Sequence, residues 1–432
     1  MTFPWPRMRL RHLSKEPIRN GVGESAQDGV ADWPRYVRIT DIAGPRTLRT
    51  DTVASLPPEI AREAPLRNGD ILISAVGATF GKAYLHRDIA HEHCFAGYLV
   101  KVSVNERLLP EFAAYWTESY DYWHQVNSRV IQSTIQNFSA ARVKDLSLGV
   151  PPIDTQQIIV NFLDRETAQA DGLVAKYERL IQLLEEKRVA LITQAVTKGF
   201  DPSAPTKETG TDWIGTIPRH WVLTPLKHAV RGITVGIVVT PAAYYVAEGV
   251  PCLRSLNISE RNISAENLVY ISPESNVLHR KSQIRSGDLV IVRTGRPGTC
   301  AVVDGRFDNA NCIDLIIARR SPNASSEFLA YYLNSNAAKI QYALESGGAL
   351  QQHFNVGAAG SLSVCLPPLT EQRSIVDALN EQCGRLDTAI DTTRRAIALV
   401  RERRSALIAA AVTGQINIRA NEATQPRIKV GS

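Results

Sequence analysis

The sequence predicts an α+β protein. Two similar globular domains alternate with two long helices, and the helices pack as an antiparallel coiled coil about a pseudo-two-fold axis. Three observations carry that expectation. The 432-residue chain matches itself at an offset of 216. Each copy opens with short apolar runs divided by turns, as strands require. Each copy closes with a long stretch of heptad spacing.

The repeat is clearest at its ends. Trp5, Leu10 and His12 fall on Trp221, Leu226 and His228, and Glu111-Phe112-Ala113-Ala114-Tyr115 falls on Glu327-Phe328-Leu329-Ala330-Tyr331. In between, the better offset is 218, which sets Asp70 on Asp288, Gly77 on Gly295 and Cys94 on Cys312. A two-residue slip of this kind belongs in loops. Residues 151–199 and 367–415 share 18 identities in 49 positions without a gap. A duplicated chain suits a partner with repeated or dyad geometry, and duplex DNA is such a partner.

Residues 1–150 read as the first globular domain. Asp70-Ile71-Leu72-Ile73 and Gly97 to Val102 read as strands, and Glu111 to Val126 as one helix with an aromatic face. Ser14 to Asp32 is polar and contains glycine, which predicts a mobile loop. Residues 151–199 read as the first long helix, 200–212 as a linker and 213–366 as the second domain. That domain has strands at 288–292 and 315–317 and a helix from Ser326 to about Leu344. Residues 367–416 read as the second long helix, and 417–432 as a polar tail.

Both helical segments open with Pro-Pro, which ends a strand ladder and can precede a helix. Leu173, Tyr177, Leu180, Leu184, Leu191 and Ala195 recur at coiled-coil intervals, and Val400, Leu407 and Ala411 hold the same phase in the second copy. Arg188 and Arg404 sit at one place in both seams. A lone helix from Thr155 to Thr197 would extend roughly 65 Å at about 1.5 Å per residue and leave its apolar stripe wet. The two helices are therefore expected to pair. Gly172 and Gly384 are the points where they would kink or break.

Net charge is +6. The excess lies in the globular parts: 18 Lys and Arg stand against 16 Asp and Glu in residues 1–150, and 14 against 10 in residues 213–366. Mild basicity of this kind fits a nucleic-acid partner. No apolar stretch reaches the roughly 18 residues of a transmembrane helix, and the N-terminal segment lacks the apolar core of a signal peptide. The six cysteines show no CxxC spacing. A reducing cytoplasm with buried free thiols is expected, with Cys94 and Cys312 in packing roles.

Sites for chemistry are scarce. Gly77-Ala78-Thr79-Phe80-Gly81-Lys82 resembles a phosphate loop but is one residue short between its glycines, and Ala83 replaces the metal-binding hydroxyl. A tight turn between strands is the better reading. His86, His91, Glu92, His93 and Cys94 are dense in metal-ligand types but match no standard spacing, and no metal site is assigned. The chain shows neither an Asn/Asp-Pro-Pro-aromatic motif for amino-methyl transfer nor a glycine fingerprint for S-adenosylmethionine. No catalytic residue is assigned.

Pro367-Pro368-Leu369-Thr370-Glu371-Gln372, followed by Leu379, Asp387, Ile397, Glu402 to Ile408 and Ala411-Val412-Thr413-Gly414, resembles the helical repeat of Type I restriction-modification specificity subunits. Residues 151–199 resemble its first copy, with Asp154-Thr155-Gln156 in place of the usual Thr/Ala-Glu-Gln and Lys198 where glycine is frequent. The resemblance extends over nearly the whole chain. It implies a non-catalytic subunit with two target-recognition domains, each reading half of a split, asymmetric DNA site. It implies that the paired helices space the domains and bind two methyltransferase subunits, with a restriction or translocase subunit as a further partner. S-adenosylmethionine, ATP and magnesium would belong to those partners. The rival reading is a coiled-coil scaffold whose globular ends bind proteins. A third, an autonomous nuclease or methyltransferase, lacks a motif.

Base edges are read by Arg, Lys and amide side chains, and phosphates are held by Arg and Lys. Candidate DNA contacts in the first domain are Arg38, Lys82, Arg129, Gln132, Thr134 and Gln136. In the second they are Arg254, Arg293, Arg296, Gln351, Gln352 and His353. They fall in expected turns, at or near matching places in the two copies.

Overall fold

A computed structural model describes residues 4–88, 90–128, 138–211, 213–345, 354–416 and 418. The chain forms two compact units: residues 1–178 with 395–432, and residues 179–394. The first long helix runs Ile153–Lys198 and the second Leu369–Val412, so each contributes to both units. Both run unbroken through Gly172 and Gly384, where a kink was expected. Neither glycine faces a group that an added Cβ would meet, so each is a weak helix former on an open surface.

In the first unit an antiparallel sheet is ordered Ala83–Leu85, Asp70–Ser74, Leu99–Ser103, Arg19–Asn20. A second sheet is ordered Gln27–Asp28, Ala54–Ser55, Arg35–Val37, His93–Phe95, Pro65–Leu66, with Arg35–Val37 and His93–Phe95 parallel. The second unit repeats the first sheet in full and the second without its fifth strand. One sheet is ordered Ile233–Val235, Leu315–Ala318, Leu289–Val292, Cys300–Val302. The other is ordered Tyr245–Val246, Tyr270-centred Val269–Ile271, Val250–Leu253, Asn311–Cys312, and its last pair is parallel. Cys94 and Cys312 lie on the equivalent parallel strands. Both are fully buried free thiols, and burial pushes Cys94 up to about 12.

Polar pins recur at equivalent positions. Gln156, fully buried, accepts from Leu109 N (2.8 Å) and donates to the carbonyls of Arg107 and Pro151 (2.8 Å each). Gln372 accepts from Ser325 N and donates to Pro367 O, both at 2.8 Å. Each glutamine thus locks the start of a long helix to the domain before it. Tyr115 donates to Asp164 at 2.6 Å, and Tyr331 to Asn380 at 2.8 Å. Trp5 meets Phe112 edge-on at 6.5 Å, and Trp221 meets Phe328 at 6.4 Å.

The expected single helices at 111–126 and 326–344 are each two helices: Pro110–Thr117 with Tyr120–Ser128, and Ser326–Asn334 with Asn336–Glu345. Ser119 Oγ donates to Trp116 O (2.7 Å) and Ser335 Oγ to Tyr332 O (2.6 Å), so a serine hydroxyl takes over the carbonyl where the backbone turns. The expected mobile loop 14–32 instead holds two short strands, and the linker contributes Thr206–Glu208, paired with Thr216–Pro218.

Within each unit the two long helices run antiparallel. In the first unit Arg401 reaches Glu178 (2.9 Å), Arg404 reaches Asp171 (3.0 Å) and Glu118 (2.8 Å), and Ile408, Ala411 and Val412 share a core with Ile159, Val160 and Leu163. In the second, Arg188 meets Asp387 (2.9 Å) and Arg394 meets Glu185 (3.4 Å), while Ala195 and Val196 share a core with Ile375, Val376 and Leu379. The seam differs from the expected register. Tyr177, Leu184, Leu191, Val400 and Leu407 are half-buried on it, but Leu173 and Leu180 are 39% and 41% exposed. Val174 and Ile181, one residue on, take the inward places. Adjacent apolar pairs fit two phases of a heptad equally well, and packing chooses the β-branched member.

Arg404 is the more enclosed seam arginine and faces two carboxylates. Arg404→Glu is expected to cost on the order of 2 kcal/mol, and Arg188→Glu less than about 1 kcal/mol because its pair is more solvated. Thermal melting of the two variants checks this; equal losses would contradict it.

Candidate nucleic-acid interface

A turn lies at the same place in each domain. It joins Asp70–Ser74 to Ala83–Leu85 in the first and Leu289–Val292 to Cys300–Val302 in the second. Gly77 and Gly81 have φ of 76° each, and Gly295 and Gly298 have 85° and 86°. Glycine is required at two of these on a second count. A Cβ at Gly81 would press on Trp123 and Val126, and one at Gly298 would overlap the ring of Tyr342. The phosphate-loop look-alike is therefore a hairpin turn packed against a helix. Tyr122, fully buried, fixes it further by donating to Gly81 O at 2.6 Å.

Each turn presents a cation. Lys82 is exposed, with no side-chain partner among the described residues. Arg296 is exposed, with one long contact to Ile258 O at 3.5 Å. The turns also adjoin the ends of two segments singled out from the sequence. Phe138, first after 129–137, donates its N–H to Ala75 O (2.7 Å), and Phe354, first after 346–353, donates to Arg293 O (3.3 Å). Arg129, Gln132, Thr134, Gln136, Gln351, Gln352 and His353 themselves lie outside the described residues.

Three expected contacts are already engaged by the framework. Arg38 forks onto the buried Asp41 (3.0 Å twice) and donates to Thr52 O (2.9 Å). That bidentate hydrogen bond raises its pKa above the ordinary arginine value. Arg254, its counterpart, faces Asn257 in place of the acid and donates to Asn267 O at 2.7 Å. Arg293 pairs with Asp314 (2.6 Å) and donates to Phe354 O (3.2 Å). These arginines brace loops; of the described candidates, Lys82 and Arg296 remain open to a ligand.

Sequence reasoning missed Tyr98. It is 66% exposed, and its carbonyl accepts from Ala75 N at 2.8 Å, which sets it beside the Lys82 turn. Its signal was the slip in the repeat. Ile73 pairs with Val100 and Ile291 with Ile316, so the offset returns from 218 to 216 between Cys94 and Leu99. Gly97-Tyr98 accounts for the extra length. The second domain carries Asp314 there instead, bound to Arg293 and to Thr294 (2.8 Å). The two copies thus share a framework and differ at the turn.

Among the described residues, no three His, Cys, Asp or Glu side chains converge as metal ligands. His91 and Glu92 are exposed, whereas His86 and His93 are buried with ring centroids 4.7 Å apart. Burial, then the neighbouring His93, pushes His86 down to about 4, and burial lowers His93 too. The unfolded chain binds more protons here below the ordinary value of about 6.5. This contribution to stability is therefore complete above about pH 6.5 and is lost as the pH falls towards about 4. The first unfolding midpoint is expected to drop across that window, and His86→Asn to flatten the drop. An equally steep drop in the variant would contradict the assignment.

A sequence family described as the Type I restriction modification DNA specificity domain matches residues 36–179. The specificity subunit of the Type I restriction enzyme EcoKI from Escherichia coli (strain K12) is 23% identical over 402 residues, covering 89% of this chain and 83% of that protein. The chain belongs to the Type I specificity subunits. The EcoBI subunit of Escherichia coli is 25% identical over 305 residues, covering 68% of this chain and just under two thirds, 64%, of that protein. The fold is shared with a chain from a solved structure of a Type I restriction-modification system (TM-score 0.71, 17% identity, covering 96% of this chain and 100% of that one). It is also shared with the HsdS subunit of Thermoanaerobacter tengcongensis (TM-score 0.56, 16% identity, covering 96% and 99%). As a specificity subunit, the chain has no helix among its described residues long and apolar enough to cross a membrane.

Proposed function

We propose that this specificity subunit reads a split, asymmetric DNA site. Each domain contacts one half-site through its glycine-bounded turn, and the long helices set the distance between halves. The observation that carries the reading is conservation of the framework with divergence at the turn. Gln156 and Gln372, Tyr115 and Tyr331, and Trp5 and Trp221 repeat their contacts, while Lys82 with Tyr98 faces solvent in one copy and Arg296 beside the Arg293–Asp314 pair in the other. Equal frameworks with unequal contact groups give two half-sites of different sequence.

In this reading the subunit carries no catalysis. Two methyltransferase subunits dock on the helices and bring S-adenosylmethionine to adenine, and a translocase subunit with ATP and magnesium adds restriction, all in the cytoplasm. The test is binding by the assembled complex. Affinity should fall steeply with salt and favour one split sequence by about a thousandfold or more over random duplex. A complex with no sequence preference, or no salt dependence, would return the chain to the scaffold reading.

A further inference from the structure

The second unit has a cavity of about 630 Å³ lined by Arg231, Arg280, Arg285, Arg319 and Arg320. Arg319 is committed to the fold, pairing with the buried Asp288 (2.7 Å) and donating to Gln283 O (2.6 Å) and Lys281 O (2.7 Å). Asp288 is fully engaged as well, accepting from the backbone N–H groups of Arg285 and Arg320 at 3.0 Å each. The other four arginines are exposed, and none has a carboxylate within ion-pair distance among the described residues.

The first domain reveals what is missing. There Lys15 N donates to Ser103 O (2.8 Å) just as Arg231 N donates to Arg319 O (3.1 Å). The next residue, Glu16, neutralises Arg67 (2.7 Å) and Lys101 (3.0 Å). Its counterpart is Gly232, and Arg67's is Arg285. The second copy thus lacks the acid; it also lacks the buried Lys101, which is Ile317 there, but keeps the exposed Arg285 without a carboxylate.

We infer that this arginine cavity of the second domain binds backbone phosphates of the DNA flanking its half-site. The inference rests on the proposed DNA reading. The cavity lining is guanidinium with polar side chains and one proline, without an aromatic face for a base or nucleoside, so phosphate is the matching chemistry. Position supports it. Asp288 precedes the strand Leu289–Val292 and Arg293 follows it, so cavity and turn stand at opposite ends, about 17 Å apart at roughly 3.4 Å per residue. A duplex that engages the turn and runs along this strand reaches the cavity about five base pairs from the turn. The first domain, with Glu16 in place, makes no such contact.

The test uses the assembled complex and target duplexes trimmed on one flank at a time. Gly232→Glu restores the acid of the first copy, and an added Cβ there meets nothing within 4 Å. Arg280→Ser with Arg285→Ser removes charge without touching Arg319. Both variants should lower affinity about tenfold and flatten the salt slope by roughly one to two, with the preference for target over random sequence unchanged. The loss should vanish when one flank, and only that one, is cut to fewer than about five base pairs. Unchanged affinity and slope in variants that melt normally would overturn the inference, as would a loss that persists without the flank. A wild-type complex without sequence preference would instead remove the DNA reading on which it stands.

Discussion

Three heptads added to each long helix should lengthen the spacer of the methylated motif by about nine base pairs, while one heptad should abolish methylation. The insertions go between Glu178 and Arg179 and between Arg394 and Arg395, where the two units divide, so the contacts inside each unit stay intact. One heptad adds about 10.5 Å, or roughly three base pairs. Three base pairs turn a duplex by about 100° right-handed, whereas a heptad turns a paired coil by only about 25° left-handed. The second turn would then face the wrong side of its groove. Three heptads add about 31 Å and some 75° of left-handed twist. Nine base pairs leave a duplex about 50° short of a full turn, which is the same sense and nearly the same angle. Mapping methylated adenines for each variant checks this. An unchanged spacer with three heptads would remove the helices from the role of ruler.

Gln156→Ala and Gln372→Ala should be the most damaging single changes in the framework. Each leaves a buried N–H and at least one carbonyl without a partner, at about 1–3 kcal/mol per group, so a loss of roughly 3 kcal/mol is expected from either. Melting curves should show the two losses in different units: Gln156 ties its helix to the first domain, and Gln372 ties the other to the second. Losses below about 1 kcal/mol would mean that water replaces the amide.

The helices were legible because the heptad spacing from Leu173 to Ala195, about six turns, repeats in phase in the second copy and calls for a partner along its apolar stripe. Their register was not, because Leu173-Val174 and Leu180-Ile181 satisfy two phases and only packing separates them. The breaks at Ser119 and Ser335 were hidden because serine tolerates a helix and the aromatic stripe continues across it. At the site, the exposed turn cations Lys82 and Arg296 could be found from glycine spacing and the repeat. Arg254 and Arg293 could not be excluded, since their partners Asn267 and Asp314 arrive from later segments, and the fork of Arg38 onto Asp41 exists only once the turn between them is folded. Tyr98 was visible only as an irregularity in the offset.

In the proposed function this chain alone names the sequence methylated by its partners. Modified-base sequencing of a chromosome exposed to this subunit and a partner methyltransferase, with and without Tyr98→Ala, tests it most directly. Methyl-adenine is expected at one split motif, absent when the subunit is deleted, with the variant relaxing one half of the motif and leaving the other half and the spacer unchanged. Methylation that persists at the same motif without this chain would contradict it.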